Sequence, residues 1–388
     1  MARTAFAIFS ILLVIILIVF VFQSFAGLPL LLALPLVLIG VPAIVWLAVL
    51  LYGLVRRSQP YRAFDPAEQQ SDAQALGAEG RYVTLPDGRV VEYLVYGSKD
   101  PAAKVIVQIH GASTSAGWMC RMHGPLLESL NLTGIAPSLP GYGFSDIQAG
   151  RRIRDFPRDL STILEAEAVE QFLVEGISLG TAHAMAVAWH FGPERCLGLG
   201  LNAPYLSEAI CREFNFQHDA DKLPKADAQH WYQAWNFYVA DLMFIAPGIA
   251  PIARWMHLLL PEGKQVWAER PWVLETMVED QARLVIRGTQ GQGYDQYAYE
   301  MNALWGFDPR DIEVKNVAVW YALDDSACPP EHGKWLAELF DAREDVATSI
   351  RVEDLGFGHF TYTPASGPAF TKDERTLAKA LVALVDAQ

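Results

Sequence analysis

Residues 4–55 form an apolar run that has no counterpart in the rest of the chain. They contain no Asp, Glu, Lys, Arg or His. A single helix of this length would extend roughly 78 Å, whereas the hydrocarbon core of a bilayer is only about 30 Å thick. The segment QSFAGLP at 23–29 interrupts the run with polar residues, a glycine and a proline. The pattern therefore predicts two transmembrane helices, over 5–22 and 30–55, which form a hairpin within residues 1–57.

Two other interpretations of this segment remain open. In the first, residues 1–3 are the short basic region of a secretory signal peptide that precedes a single span, although the apolar run continues without a clear A-x-A cleavage site. In the second, the run is a core helix of a soluble domain, which two successive uncharged segments of this length disfavour. The hairpin explains both segments, and it predicts an integral membrane protein in contact with the lipid bilayer.

The arginines that flank the predicted spans indicate their orientation. Arg3 precedes the first span, and Arg56, Arg57 and Arg62 follow the second. Because basic residues remain on the cytoplasmic side, both ends of the hairpin and the domain that follows are predicted to face the cytoplasm. A glycosylation sequon at Asn131 would matter only for a lumenal domain, and it does not change this prediction.

From residue 81 onward, short β-rich runs alternate with helical stretches, after a polar linker over residues 58–80. Such alternation is typical of a mostly parallel central sheet covered by helices on both faces. The turn residues Pro86, Asp87 and Gly88 predict a hairpin between the first two strands. The strands are predicted at residues 81–85, 90–96, 105–109, 132–136, 317–321 and 350–355.

Between residues 205 and 311 the strand signals fade and aromatic residues become frequent. Helical periodicity is visible over 226–245 and 273–286. Most of the aromatic side chains are expected to pack inside this segment, and a minority are expected to line an apolar pocket. The segment is therefore predicted to be a helical insertion that interrupts the α/β pattern.

Composition and charge exclude several classes of function. Of the 388 residues 52% are hydrophobic and 19% charged, which is enough apolar surface for a folded core. Four of the 30 basic side chains lie in residues 1–64, so residues 65–388 carry 26 basic and 44 acidic side chains, a net charge of −18. This balance argues against nucleic-acid binding. The four cysteines lie far apart without a CxxC pair, and they indicate neither a disulfide framework nor a zinc site.

The most informative motif is GISLG at residues 176–180, within FLVEGISLGTAHAMAVAW. A strand precedes it and a segment of good helix formers follows it. A serine on such a tight strand-to-helix turn needs glycine neighbours, so that the two backbones can approach and the hydroxyl can project from the sheet edge. The amides at the start of the helix then point toward a developing oxyanion. Ser178 is therefore a candidate nucleophile.

A serine nucleophile needs a base at neutral pH, and the base needs an acid that orients it. On this kind of sheet the acid follows a late strand and the histidine lies near the C-terminus. Asp324 and Asp325 follow the predicted strand VAVWY, and His359 lies in GFGHF. Among the nine histidines, His183 and His190 lie on one predicted helix without a further ligand at metal-binding spacing, so no metal or cofactor is expected.

These motifs resemble those of the α/β-hydrolase superfamily. The resemblance covers about residues 81–204 and 312–388, and it implies a helical cap over 205–311. It rests on four landmarks in chain order, which are HGAS at 110–113, PGYGFS at 140–145, GISLG at 176–180 and GFGHF at 356–360.

The resemblance implies a role for each residue of the candidate site. Ser178 becomes the nucleophile, His359 the general base and Asp325 the orienting acid, since Asp325 fits the family spacing D-x-x-[VC]-P and Asp324 remains the alternative. The amides of Ala112 and Leu179 become the oxyanion hole. Two positions depart from the family pattern, because Ser138 replaces a common Asp and Thr181 replaces a common Gly.

The predicted function is a membrane-anchored serine hydrolase without a cofactor, acting on a small-molecule acyl substrate, most simply a lipophilic ester. An amidase or aminopeptidase with the same triad is an alternative, and a catalytically idle binding scaffold is another. A dehalogenase or epoxide hydrolase is disfavoured, because those relatives carry a carboxylate nucleophile at the position of Ser178.

Overall fold

The computed structural model describes most of the chain after residue 61. The described residues are 62–112, 114–148, 150–207, 210–211, 263–284, 286–287, 304–325, 327–354, 356–360, 363 and 376–387. The predicted transmembrane hairpin at 1–57 and most of the predicted cap at 205–311 lie outside them. Over the described ranges, no helix combines the length and hydropathy needed to cross a bilayer.

An eight-stranded sheet forms the centre of the domain. Its strand order is β1-β2-β4-β3-β5-β6-β7-β8. The first two pairings, β1 with β2 and β2 with β4, are antiparallel, and the other pairings are parallel. The strands are β1 (Glu79–Thr84), β2 (Val90–Gly97), β3 (Lys104–Ile109), β4 (Leu132–Pro137), β5 (Phe172–Ile177), β6 (Cys196–Asn202), β7 (Asn316–Ala322) and β8 (Ala347–Glu353).

The mostly parallel sheet predicted from the sequence is confirmed. Each predicted strand is present, and the hairpin turn joins β1 to β2. The prediction for β8 is displaced, since it began at Ile350 whereas the strand begins at Ala347 and ends at Glu353. β8 is an edge strand with Ile350 and Val352 exposed, so its apolar residues do not mark its start.

Helices cover both faces of the sheet. They are α1 (Pro66–Ala75), α2 (Ala116–Ser129), α3 (Phe156–Ala166), α4 (Gly180–Arg195), α5 (Gly263–Glu269), α6 (Pro271–Leu284), α7 (Pro330–Asp341) and α8 (Leu377–Asp386). Helix α6 overlaps the periodic segment predicted over 273–286, and it begins and ends two residues earlier.

The central strand β5 divides the core into two layers. Phe172 and Val174 pack with residues of α3, α4 and α7 on one face. Leu173 and Ile177 pack with residues of α2 and α8 on the other. Because successive strand residues point to opposite faces, β5 is buried along its whole length and carries its C-terminal residue directly to the candidate site.

The predicted linker at 58–80 contains helix α1. Its N-cap is Asp65, whose carboxylate accepts hydrogen bonds from the amides of Ala67 and Glu68, and Pro66 occupies the first turn. Cap and proline are typical signals for the start of a helix. The polar composition concealed them, since only Gln69 and Ala73 of this helix are buried.

Candidate active site

Ser178 lies on a strained turn between β5 and α4. Strand β5 ends at Ile177 and helix α4 begins at Gly180. The φ angle of Ser178 is +55°, in the left-handed region that residues other than glycine rarely adopt. The amide of Ser178 donates to the carbonyl of Asn202 at 2.9 Å, which ties the turn to the end of β6. This geometry fits the sharp turn expected for a nucleophile at the sheet edge.

The glycines around Ser178 are required by close backbone contacts. A Cβ atom at Gly176 would collide with the backbone of Gly180, and one at Gly180 would collide with the carbonyls of Ile109 and His110. A Cβ atom at Gly111 would lie 3.0 Å from the Cβ of Ser178. The turn and the loop after β3 therefore pack together as the GISLG motif predicts.

His359 and Asp325 form a hydrogen-bonded pair. The Nδ1 atom of His359 lies 2.9 Å from Oδ2 and 3.2 Å from Oδ1 of Asp325. The amides of Ala327 and Cys328 each donate to Oδ1 of Asp325 at 2.8 Å, which fixes the carboxylate after β7. Asp324 instead accepts a hydrogen bond from the amide of Gly358 at 2.9 Å. Of the two candidate acids, Asp325 is thus the one that contacts the histidine ring.

The surroundings of His359 favour its protonated form. Burial alone would lower the pKa of His359, but electrostatic interactions and hydrogen bonds with Asp325 and Cys328 outweigh it. The pKa of His359 is therefore raised well above its usual value. The His359 side chain is 15% exposed and that of Asp325 only 1%, so the pair opens to the outside at the histidine.

One pocket brings together three of the candidate residues, Ser178, His359 and Ala112. Ser178 and His359 share it with residues of the loop after β3, with α2 and with α6. Its walls are otherwise largely apolar, which suits the acyl part of a substrate. The lining residues are Gly111, Ala112, Thr114, Trp118, Ile177, Ser178, Met277, His359 and Phe360.

Cys328 contacts both Ser178 and His359. Its Sγ atom is 3.6 Å from Oγ of Ser178, and its side chain is also hydrogen-bonded to His359. Among the described residues, Asp325, Cys328 and His359 form the one cluster whose possible metal-ligand atoms all lie within 4.8 Å of one another. No role for Cys328 was predicted from the sequence, because only the folded chain places it beside Ser178.

The two amides predicted for the oxyanion hole are available to a ligand. Within the described residues, neither the Ala112 amide nor the Leu179 amide has a hydrogen-bond acceptor in the protein. Ala112 follows Gly111, whose backbone packs against Ser178, and Leu179 follows Ser178 directly. Both positions are therefore suitable for donating to a negatively charged oxygen near the serine hydroxyl.

His110 braces the loop that carries Ala112. Its Nδ1 atom lies 2.8 Å from the carbonyl oxygen of Gly111, and its Nε2 atom accepts from the amide of Leu139 at 3.0 Å. Both contacts are satisfied when Nδ1 carries the proton. Burial lowers the pKa of His110 to about 3, so this neutral form persists at neutral pH. His110 therefore has a structural role in this loop.

Glu92 binds Ser138, the serine that departs from the family pattern. The Oε1 atom of Glu92 accepts hydrogen bonds from Ser138 Oγ at 2.6 Å and from the Phe144 amide at 2.9 Å. Its Oε2 atom accepts from Arg283 at 2.8 Å. The Glu92 carboxylate of β2 thus links Ser138 to the Phe144 amide of the PGYGFS segment.

Arg283 and Asp280 of α6 connect that helix to the start of α2. Both carboxylate oxygens of Asp280 accept from Ser115, one from its amide and one from its hydroxyl. The guanidinium of Arg283 donates to Ser115 Oγ at 2.7 Å and to Asp72 of α1. Since Ser115 caps α2 and Met277 of α6 lines the pocket, this buried network fixes one wall of the pocket.

The comparisons with known proteins agree with this architecture. The sequence pattern of the alpha/beta hydrolase fold matches residues 104–362. The chain therefore belongs to the alpha/beta hydrolase fold family, as its motifs predicted. No curated protein shows significant sequence similarity to it.

Several solved structures share the fold at low sequence identity. Esterase RhEst1 from Rhodococcus sp. ECU1013 is 18% identical, with a TM-score of 0.53 over 79% of this chain and 98% of its own. An alpha/beta hydrolase fold protein from Nakamurella multipartita is 15% identical, with a TM-score of 0.52 over 80% and 100%. Est816, an N-acyl homoserine lactone degrading enzyme, is 20% identical, with a TM-score of 0.51 over 72% and 93%. These similarities establish the fold.

Proposed function

We propose that the protein is a membrane-anchored serine hydrolase that cleaves esters. The observation that carries this proposal is the arrangement of three side chains. Ser178, on a strained turn, shares a pocket with His359, and Nδ1 of His359 is hydrogen-bonded to Asp325. This arrangement supports activation of the serine hydroxyl for acyl transfer.

In the proposed mechanism, Oγ of Ser178 attacks the ester carbonyl while Nε2 of His359 takes the hydroxyl proton. Asp325 holds the ring through Nδ1 and stabilises the imidazolium that forms. The amides of Ala112 and Leu179 donate to the oxyanion. His359 then gives its proton to the leaving alcohol, and an acyl-serine remains. Water activated by His359 hydrolyses this intermediate and regenerates the serine.

The pocket and the predicted anchor together favour a lipophilic acyl group. Trp118, Met277 and Phe360 give the pocket apolar walls, and the hairpin proposed at 1–57 would keep the domain near a bilayer. Burial contributes roughly 0.8 kcal/mol per CH₂. Residues 205–311 are proposed to be the cap, so further substrate contacts would come from that segment.

Covalent labelling tests the nucleophile. A fluorophosphonate probe should label the wild-type protein, and Ser178→Ala should abolish labelling. Ser129→Ala is the matched control, since Ser129 lies on α2 and donates only to the Leu126 carbonyl. Equal labelling of Ser178→Ala and wild type would remove Ser178 from the proposed role.

Substrate selectivity separates the ester proposal from its alternatives. The kcat/KM values for p-nitrophenyl esters from acetate to palmitate should rise with chain length and peak at medium or long chains. A peak at acetate, or activity confined to N-terminal prolyl amides, would reject the lipophilic ester and favour an amidase. A protein that is neither labelled nor active would be the binding scaffold.

A further inference from the structure

The side chains in the pocket and directly next to it include a set of zinc-ligand types. Cys328 offers a sulfur atom, His359 offers a ring nitrogen and Ser178 offers a hydroxyl oxygen. Thiolate and imidazole are the two ligands that Zn²⁺ binds most often in proteins. The candidate ligand atoms of Cys328, His359 and Asp325 all lie within 4.8 Å of one another.

The spacing of two of these atoms fits a tetrahedral ion. A zinc ion about 2.3 Å from a sulfur and about 2.1 Å from an oxygen, at the tetrahedral angle, holds the two atoms about 3.6 Å apart. The Sγ atom of Cys328 and the Oγ atom of Ser178 are 3.6 Å apart. A cation could therefore bind to both atoms without movement of the backbone.

The His359–Asp325 pair is already arranged as in metal sites. Histidines that bind zinc usually donate their other ring N–H to a carboxylate, which fixes the ring and raises its basicity. Nδ1 of His359 faces Asp325, at 2.9 Å from Oδ2. Since Asp325 engages Nδ1, Nε2 is the ring nitrogen that a metal would bind. His359 and Ser178 line the pocket, which gives the ion a route of entry.

We infer that the active site also binds a thiophilic divalent cation, represented by Zn²⁺, through Cys328 Sγ, His359 Nε2 and Ser178 Oγ. Water completes the fourth position. As the Zn–S and Zn–N bonds form, any proton on Cys328 Sγ and on His359 Nε2 is released to solvent. The bound cation occupies both the proposed nucleophile and its base, so it should inhibit hydrolysis. This inhibition rests on the proposed function. Binding itself does not depend on hydrolysis.

Metal binding to the full-length protein provides the direct test. Titration with Co²⁺ should produce a thiolate-to-cobalt charge-transfer absorption in the near ultraviolet, and Zn²⁺ should displace it at one ion per chain. Cys328→Val should remove the absorption and weaken Zn²⁺ binding, measured by equilibrium dialysis, by roughly tenfold or more. Cys328→Ser, which keeps the size and polarity of the side chain, should give the same result if the valine variant does not fold.

Two further variants identify the other components of the site. Asp325→Asn should weaken Zn²⁺ binding by roughly 10- to 100-fold while the absorption remains, since Asp325 orients a ligand without being one. Cys120→Ala is the matched control, because burial raises the pKa of the Cys120 thiol to about 12 and keeps it protonated. Undiminished Zn²⁺ binding in both Cys328 variants, or its loss in Cys120→Ala, would overturn the inference.

The inhibitory effect has its own readout. Micromolar Zn²⁺ should slow fluorophosphonate labelling of the wild-type protein, and a chelator should restore it. Cys328-dependent binding that leaves labelling unchanged would overturn the inhibitory part. If the metal-free protein is never labelled while the cobalt absorption is present, the proposed function fails and the metal site stands. If the protein is labelled but binds no metal, the metal-site inference fails and the proposed function stands.

Discussion

The carboxylate of Asp325 accepts hydrogen bonds from two sides, from the His359 ring and from the amides of Ala327 and Cys328. The two amides hold the carboxylate in place, and the carboxylate then holds the ring. Replacement of Asp325 by asparagine puts an NH₂ group where Nδ1–H must donate. The ring would then favour the tautomer that cannot accept the serine proton.

We therefore expect Asp325→Asn to lower kcat by roughly 10⁴-fold, as for other triad acids. Asp324→Asn is the matched control, and its effect should be far smaller because Asp324 accepts only from the Gly358 amide in the described structure. Steady-state kinetics on one ester would compare the two variants. A larger loss in Asp324→Asn would reverse the assignment of the acid.

The raised pKa of His359 predicts the pH dependence of catalysis. The base must be neutral, so kcat/KM should fall as pH decreases through a pKa that lies well above the usual 6.5. For stability the sign is opposite, since a raised pKa stabilises the fold at low pH, and this contribution is lost as pH rises through the folded-state value. A kcat/KM profile with its acidic limb at or below pH 6.5 would contradict this expectation.

At the residue level, the sequence predicted the site where local motifs encode it. Ser178 lies between glycines, and His359 and Asp325 follow strands, so strand-end positions brought all three to one sheet edge. Glu92 and Cys328 were not predicted to have roles. Glu92 acts on a loop that follows a different strand, and Cys328 acquires its neighbours only in the folded chain.

At the level of elements, buried charges help to hold helix α6 on the core, beside its apolar contacts through Val273 and Leu274. Arg283 donates to Glu92, Asp72 and Ser115, and the Arg283 and Glu92 side chains are 4% and 0% exposed. Burial raises the pKa of the adjacent Asp280, even though Arg283 and Ser115 stabilise its charge. Removal of the cation would leave uncompensated carboxylates in the core.

Arg283→Met should therefore reduce the free energy of unfolding by about 3–5 kcal/mol. Arg310→Met is the control, because Arg310 forms its ion pair with Asp308 at the surface and should change stability by less than about 1 kcal/mol. Denaturant titrations of both variants would measure the difference. Equal stabilities would mean that packing, rather than the charge network, holds α6.

Strands were easier to predict than helices of mixed polarity. The buried strands β3, β4 and β7 could be predicted directly from their apolar runs. Helix α1 was not predicted, because it buries only two side chains and its stability comes from the Asp65 cap and tertiary contacts. Edge strand β8 was displaced for a related reason, since partial exposure removes the apolar pattern that marks a strand.

For the whole molecule, the arginines beside the proposed spans predict a cytoplasmic catalytic domain. Protease added to intact cells should leave the domain uncut, and protease added to lysed cells should degrade it. Degradation from outside, or glycosylation at Asn131, would reverse the orientation. Residues 65–388 carry 26 basic and 44 acidic side chains, so a chain that begins at Ser58 should not bind anionic vesicles. When the vesicles are sedimented, this chain should remain in the supernatant.

The attachment of Arg62 to the folded body would limit how far the domain can move from a bilayer that holds the proposed hairpin. Its amide donates to the Arg287 carbonyl at 2.8 Å, and its own carbonyl accepts from Arg287 Nε at 3.0 Å. If the proposed hairpin ends at residue 57, the chain from there to Arg62 can span at most about 18 Å. That is less than the radius of gyration of about 20 Å for a domain of this size.

If the hairpin proposed at 1–57 lies in a bilayer, so short a connection would prevent the domain from rotating freely above it, and nearly the same side would always face the lipid. Encounters with substrate would then take place in two dimensions. Turnover in cells would depend on the number of substrate molecules per unit membrane area and on their lateral diffusion, and it would respond little to bulk concentration.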